Sequence, residues 1–192
     1  FLHNEGYSTM CGHAIIALTK MVLEMDIVRR DGEKVTLQID GPPGRIISTA
    51  YRKQGVVDRV IFRNVPSFVY LRQGELKMQD GSIRFDLAYG GAFYAFVDAD
   101  DLQLSLDTSH ANQLISMGRM IKQCVRELHE ITHPFEEDLG FLYGTIFTGS
   151  ANDPAHHSRN VCIFADGELD RSATGSGVSA RAAIHHDRGE LP

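Results

Sequence analysis

The sequence predicts a mixed α/β fold, α+β in the segregation of its elements, made of two similar lobes that each wrap strands around one central helix. Two observations predict it. Along the chain, patterns run helix, many strands, helix, strands, helix. In addition, one succession occurs twice: a strand, a tight turn, Cys-Gly or Thr-Gly, then a helix rich in small and apolar residues. The first copy lies in "YSTMCGHAIIA" (7–17) and the second in "DRSATGSGVSARAAI" (170–184). The repeat places one lobe at 1–88 and the other at 89–192. A chain of 192 residues with 43% apolar and 23% charged residues has room for one good core or two small ones.

From Cys11 to Met25 apolar residues crowd every side of the helical pattern (Ala14, Ile15, Ile16, Leu18, Met21, Val22, Leu23). A helix apolar all round is expected to be buried all round. Strands with period-two alternation follow at Val35, Leu37 and Ile39, turn at Gly41-Pro42-Pro43-Gly44, and return through "RIISTAYR". Val60 and Phe62, then "SFVYL", then Ile83, Phe85 and Leu87 continue the pattern. "YGGAFYAFVDADD" reads as a strand entered through a kink at Gly90-Gly91. Ser109 is the expected N-cap of an amphipathic helix with Leu114, Ile121, Val125 and Leu128 on its apolar face. Strands resume at "FLYGTIF" and "NVCIF", "SANDPAHHSRN" is a polar loop, and the final helix opens at Gly175.

The two helix starts carry the chemistry. The first N–H groups of a helix have no partner within it, and the aligned peptide dipoles add positive potential there. Gly12-His13 and Gly175-Ser176 are therefore two anion sites. If they face each other, four amides hold one small carboxylate. Hydrogen bonds to a charged group contribute roughly 1.5–3 kcal/mol each, so four supply on the order of 6–12 gross. Enzymes lower barriers by roughly 8–23 kcal/mol, so such an array matters if it tightens as the carboxylate gains enolate character. Helix N-termini favour thiolate over thiol, which makes Cys11 a candidate general base beside a bound carboxylate. A buried, inert cysteine is the competing explanation. Cys124 and Cys162 sit in apolar patterns and read as packing, and Asp170 on its own reads as a turn or capping carboxylate.

Other classes are excluded or disfavoured. A formal charge of −6 leaves no basic footprint for nucleic acid or an anionic membrane surface. No apolar run approaches the roughly 20 residues of a membrane span, and Phe1 to Glu5 lack the pattern of a secretory signal. Three cysteines without a Cys-x-x-Cys spacing favour a reducing, cytoplasmic setting over disulfides or zinc. Among nine histidines, His156-His157 and His185-His186 are adjacent pairs that do not share a helix face, so no metal site is expected. Gly6 to Met10 is not a Gly-x-Ser-x-Gly elbow, and "TGSGVSA" lacks the lysine of a P-loop. The abrupt first and last residues read as those of a fragment, with N- and C-terminal parts missing.

At "MCGH" and "DRSATGSG" the sequence resembles the proline racemase family. The first stretch matches the family's motif residue for residue. The second departs from Asp-Arg-Ser-Pro-Cys-Gly-Thr-Gly at three positions. Similarity extends through "HNEGYSTMCGHAIIAL", "YGGAFYAFV", "EDLGFLYGTI" and "SRNVCIFADGELDRS". The resemblance implies two α/β lobes around a cleft, similar to diaminopimelate epimerase. It implies no cofactor, a small imino-acid substrate, and a possible homodimer. It also implies roles: Cys11 as proton acceptor, Gly12, His13, Gly175 and Ser176 on the carboxylate, Asp170 on the secondary ammonium, and Phe164 lining the ring pocket. Thr174 stands where racemases and epimerases of the family have a second cysteine, and a threonine hydroxyl is a poor acid or base at neutral pH. That exchange resembles the trans-3-hydroxy-L-proline dehydratase branch, in which loss of the 3-hydroxyl as water gives Δ1-pyrroline-2-carboxylate. Thr174 and the His13 side chain are both candidates to protonate that hydroxyl. Ile146 falls about where 4-hydroxyproline epimerases place a histidine, which speaks against epimerisation. The alternatives are a hydroxyproline 2-epimerase or proline racemase, a non-catalytic imino-acid binder, or an inactive truncated homologue.

Overall fold

A computed structural model of the chain describes residues 1–3, 6–78 and 81–191. Asn4 and Glu5, within the first matched stretch, and Pro192, in the closing "HHDRGELP", lie outside the described residues. Two short paired strands, β1 (Leu2–His3) and β2 (Gly6–Tyr7), lead into helix α1 (Gly12–Glu24). Strands β3 (Lys34–Gly41), β4 (Gly44–Lys53) and β5 (Val56–Arg63) then form an antiparallel sheet. Gly41 pairs with Gly44 across the expected Pro42-Pro43 turn.

The larger sheet has six strands. Its members are β6 (Phe68–Met78), β7 (Gly81–Tyr89), β8 (Phe93–Asp98), β9 (Leu142–Gly149), β10 (Arg159–Phe164) and β11 (Glu168–Leu169), in the spatial order β11-β10-β9-β8-β7-β6. Every neighbouring pair is antiparallel except β8 and β9. A parallel pair needs a long crossover rather than a hairpin, and helix α2 (Ala111–Leu128) supplies it. Helix α3 (Gly175–Asp187) closes the chain's regular structure.

The central strands bury both faces, and alternation sorts their side chains. Phe93, Ala95, Val97, Phe147 and Ile163 join the main core with Leu114, Ile121 and Val125 of α2. Tyr94, Phe96, Ile146 and Cys162 face the other way and pack with Ala180 and Ile184 of α3. Helix approach is close on both sides. A Cβ on Gly118 of α2 would lie 2.7 Å from Ile163 Cβ, and one on Gly90 would lie 2.2 Å from the Ser176 carbonyl oxygen. The Gly90-Gly91 kink is thus the point where α3 settles on the sheet. The segment before α1 and the link after β5 are anchored at the same point, because the Thr9 hydroxyl donates to the Gly91 carbonyl (2.5 Å) and the Asn64 amide donates to the Gly90 carbonyl (2.7 Å).

Four expectations need correction. Helix α1 is not buried all round: Ile15, Thr19 and Leu23 are buried, while Ile16, Leu18 and Met21 are 39%, 37% and 45% exposed. Only one stripe of the helix is covered, and apolar residues on the rest of its circumference are exposed. Ser109 does not cap α2. It lies in a 3-10 turn, Thr108–His110, and His110 takes the N-cap position without a side-chain cap bond. Leu128, expected on the buried face of α2, is 62% exposed at the helix end. The boundary expected after residue 88 falls inside β7, which pairs with both β6 and β8. The change of sheet comes earlier, between Arg63 and Phe68.

Candidate active site

Helices α1 and α3 meet at their N-termini. A Cβ built on Gly12 would stand 3.7 Å from Gly175 Cα, and one on Gly175 would stand 3.7 Å from Gly12 Cα. Both are van der Waals distances, so the two helix starts are in contact, and the tighter neighbour of Gly12 is Phe62, whose Cζ would lie 3.1 Å from that Cβ. Around this meeting point lies a cavity of about 370 Å3, and every residue expected at the site lines it: Cys11, Gly12, His13, Phe164, Asp170, Thr174, Gly175 and Ser176.

The cavity has a polar floor and an aromatic wall. The floor consists of the free N–H ends of α1 and α3, with no acidic side chain in the first turn of either helix to compete for them. Such a floor suits one carboxylate. In the wall, Tyr143 stacks on Phe164 (centroids 5.5 Å apart, 27° between planes) and meets Tyr94 edge-on (5.8 Å, 81°). Phe164 belongs to the last long strand before the "DRSATGSG" turn, and Gly144 beside it is bare because a Cβ there would strike the Ile163 carbonyl at 2.5 Å.

The two N-cap residues differ sharply. Cys11 is extended (φ −141, ψ 106), partly exposed, and makes no side-chain cap bond. Thr174 is left-handed (φ 54, ψ 75), a conformation in which a β-branched residue is an outlier. The turn around it is tied down. Asp170 accepts the Thr174 hydroxyl proton at 2.7 Å and the Ser172 N–H at 2.8 Å, while Ser172 Oγ accepts the Thr174 N–H at 3.0 Å. Behind this turn sits Cys162, 1% exposed. Burial pushes its thiol well up and keeps it protonated, and a hydrogen bond with Thr174 opposes that shift. Cys162 therefore packs, as expected, but against the polar turn as well as the core.

Tyr94 and Tyr143 were missed by sequence reasoning, as was Ser8 in the cavity lining. The Tyr94 hydroxyl is hydrogen-bonded to Ser176 Oγ at 2.8 Å, which engages the Ser176 side chain. Complete burial raises the Tyr94 phenol well above its ordinary value. Burial also raises the Tyr143 phenol, against a hydrogen bond with Ser8 that lowers it. Both tyrosines lie in stretches that carried the family resemblance, "YGGAFYAFV" and "EDLGFLYGTI". Only strand register reveals that they converge, Tyr94 and Phe164 both pairing with Gly144.

Ile146 behaves differently from expectation. It is 1% exposed, packs with α3 in the second core cluster, and does not line the cavity. Its side chain has no access to a substrate hydroxyl, so it says nothing about epimerisation. Among the described residues, no group of three or more His, Cys, Asp or Glu is placed to hold a metal ion, and no helix is long and apolar enough to cross a membrane.

A family model described as proline racemase matches residues 1–192. The trans-3-hydroxy-L-proline dehydratase of Colwellia psychrerythraea is 52% identical over 192 residues, covering 100% of this chain and 54% of that protein. The trans-3-hydroxy-L-proline dehydratase of Bacillus cereus is 42% identical over 183 residues, covering 95% of this chain and 55% of that protein. Among solved structures, a hydroxyproline epimerase from Agrobacterium vitis with bound trans-4-hydroxy-L-proline superposes with a TM-score of 0.91 at 28% identity. It covers 99% of this chain and 55% of its own. The chain thus spans about half the length of the curated relatives it matches.

Proposed function

The chain belongs to the proline racemase family, and on that premise we propose that it forms the cleft of a cofactor-independent lyase that dehydrates trans-3-hydroxy-L-proline to Δ1-pyrroline-2-carboxylate. In this function the Cys11 thiolate takes the α-proton. The N–H groups of Gly12, His13, Gly175 and Ser176 hold the substrate carboxylate and stabilise the charge that moves onto it as the proton leaves. Asp170 receives the secondary ammonium. Its two existing bonds leave lone pairs free, since an ionised carboxylate offers about four acceptor positions. Phe164 lines the ring pocket, with Tyr143 stacked behind it.

One observation carries the choice of dehydration over epimerisation. Thr174, across the helix meeting point from Cys11, has its only side-chain proton donated to Asp170. Inverting a carbon needs a proton delivered to the face opposite the base, and this hydroxyl is both a weak acid and already engaged. A carbanion that cannot be protonated from behind can still expel a β-hydroxyl.

The test uses the full-length protein to which this chain belongs. Incubation with trans-3-hydroxy-L-proline is expected to release the cyclic imine. No imine, together with ready interconversion of D- and L-proline, would overturn dehydration in favour of racemisation. Neither activity, with tight binding of the planar mimic pyrrole-2-carboxylate, would make the protein an imino-acid binder. A cytoplasmic location is part of the same proposal, supported by three free cysteines, as is a homodimer, which sedimentation of the full-length protein checks.

A further inference from the structure

If dehydration is the function, the shape of that substrate constrains where its protons travel. In trans-3-hydroxy-L-proline the hydroxyl stands on the ring face opposite the carboxylate, and so does the α-hydrogen. Both groups therefore leave from one face. The electron pair released at the α-carbon points to that face, and the C–O bond that overlaps it points the same way. The acid that protonates the departing oxygen has to stand beside the base.

The two helix starts decide which residue that is. A carboxylate seated where Gly12 and Gly175 meet has Cys11 on the side of α1 and Thr174 on the side of α3. Thr174 is then behind the ring, and its hydroxyl proton is engaged by Asp170 at 2.7 Å. Cys11 is bound to no cap partner and is free to turn toward either atom it must reach.

We propose that Cys11 is both base and acid, carrying one proton from the α-carbon to the neighbouring hydroxyl along a single ring face. The thiolate forms an S–H bond as the α C–H bond breaks. The released pair becomes the ring C=C bond, and the C–O pair departs with the oxygen, which takes the proton back from sulfur and leaves as water. The thiolate is restored and the enamine product isomerises to the imine by gaining a proton on carbon and losing one from nitrogen. No oxidant or reductant enters. Thr174, held by Asp170, keeps the far face without a proton donor and so preserves the configuration of substrate that reverts.

Three measurements on the full-length protein test this. Imine release from trans-3-hydroxy-L-proline by the unaltered protein is the control, and its failure sinks dehydration itself rather than the one-face path. The cis-3-hydroxy-L-proline isomer presents its hydroxyl to Thr174. It is expected to yield imine more than about 100-fold more slowly than the trans isomer, since general acid catalysis contributes roughly 100- to 10,000-fold. Imine from the cis isomer within about 100-fold of the trans rate places an acid on the far face and overturns the proposal. The third measurement follows kcat for the trans isomer in Thr174→Val and His13→Gln, with pyrrole-2-carboxylate binding as the check on folding. A loss below about 100-fold in both supports Cys11 as the acid. A larger loss in either, with binding kept, assigns the acid to that residue and overturns the proposal. Where a variant no longer binds, the cis isomer on the unaltered protein decides.

Discussion

The helix starts at Cys11 and Thr174 are built from the same parts, an N-cap residue followed by glycine, yet they are held in opposite ways. Cys11 sits in extended backbone without a side-chain cap bond, and its helix lies on a three-stranded sheet with apolar residues exposed. Thr174 sits in the left-handed region, with its N–H on Ser172 and its hydroxyl on Asp170, at the head of a helix pressed against the Gly90-Gly91 kink. The first junction leaves the side chain proposed as base without a cap bond to hold it. The second fixes its hydroxyl and uses the surrounding carboxylate to do so. A site that must act from one face needs this asymmetry, whereas a site that inverts a carbon needs two junctions of the first kind.

Replacing the free side chain breaks the comparison most severely. Cys11→Ser in the full-length protein is expected to lower kcat for imine formation by at least about 1,000-fold, or about 4 kcal/mol of barrier. The affinity for pyrrole-2-carboxylate should change little, because the amides that bind it are untouched. Next in size is the attempt to make the junctions alike. Thr174→Cys is expected to create racemase or epimerase activity, read as deuterium entering the α-carbon with inversion, at least about 100-fold above the unaltered protein. The substitution removes a β-branch at φ 54 but also the hydroxyl bond to Asp170, so pyrrole-2-carboxylate binding is the check that the turn survives. An unchanged exchange rate would show that the fixed hydroxyl is not what separates the two chemistries.

How much of this was legible in the sequence follows from range. The helix starts were legible because Cys-Gly and Thr-Gly before small-residue helices are local signals, and the strands were legible from alternation. What the sequence could not show was which face of each element meets another. Helix α1 read as buried on every side because its composition does not record how much of it a given sheet can cover. The exposed Ile16, Leu18 and Met21 belong to a chain that spans about half the length of the curated relatives it matches. Ile146 was expected near the substrate from its position in the family resemblance, but a single residue of register moves a side chain to the opposite face, and its face is the one beneath α3. Tyr94 and Tyr143 were invisible as a pair because only the parallel β8–β9 pairing, made through a helix-long crossover, brings them together.

A smaller effect is expected from loosening the seat of the fixed junction. Gly90→Ala would set a Cβ 2.2 Å from the Ser176 carbonyl oxygen and 2.5 Å from the Ala180 nitrogen, both backbone atoms with little room to yield. Overpacking of this kind costs roughly 1–3 kcal/mol. Chemical denaturation of the full-length variant should show that loss, with weaker pyrrole-2-carboxylate binding because the Gly175 and Ser176 amides move with α3. The matching change beside the free junction, Ile16→Ala on the exposed stripe of α1, serves as the contrast.

The smallest expected effect on rate lies in Tyr94→Phe, and pH gives it a signature. The Tyr94 hydroxyl is buried against Ser176 Oγ at 2.8 Å, so deleting it leaves Ser176 short of one partner at a cost of about 1–3 kcal/mol. Burial raises the phenol of Tyr94 well above its unfolded value. A group whose folded pKa is raised contributes stability that is whole below the unfolded pKa, about 10 for tyrosine, and that is lost as pH climbs from there toward the folded value. Unfolding free energy of the unaltered protein should therefore fall above about pH 10, and the fall should be shallower in Tyr94→Phe. Measured at neutral pH, the same variant should retain most of the proposed dehydration rate, because the contact proposed for Ser176 is its helical N–H and not the side chain that Tyr94 holds. A large loss of rate with stability intact would instead mean that the Tyr94–Ser176 pair aims the amide, and that the fixed junction takes part in binding through its side chains as well as its backbone.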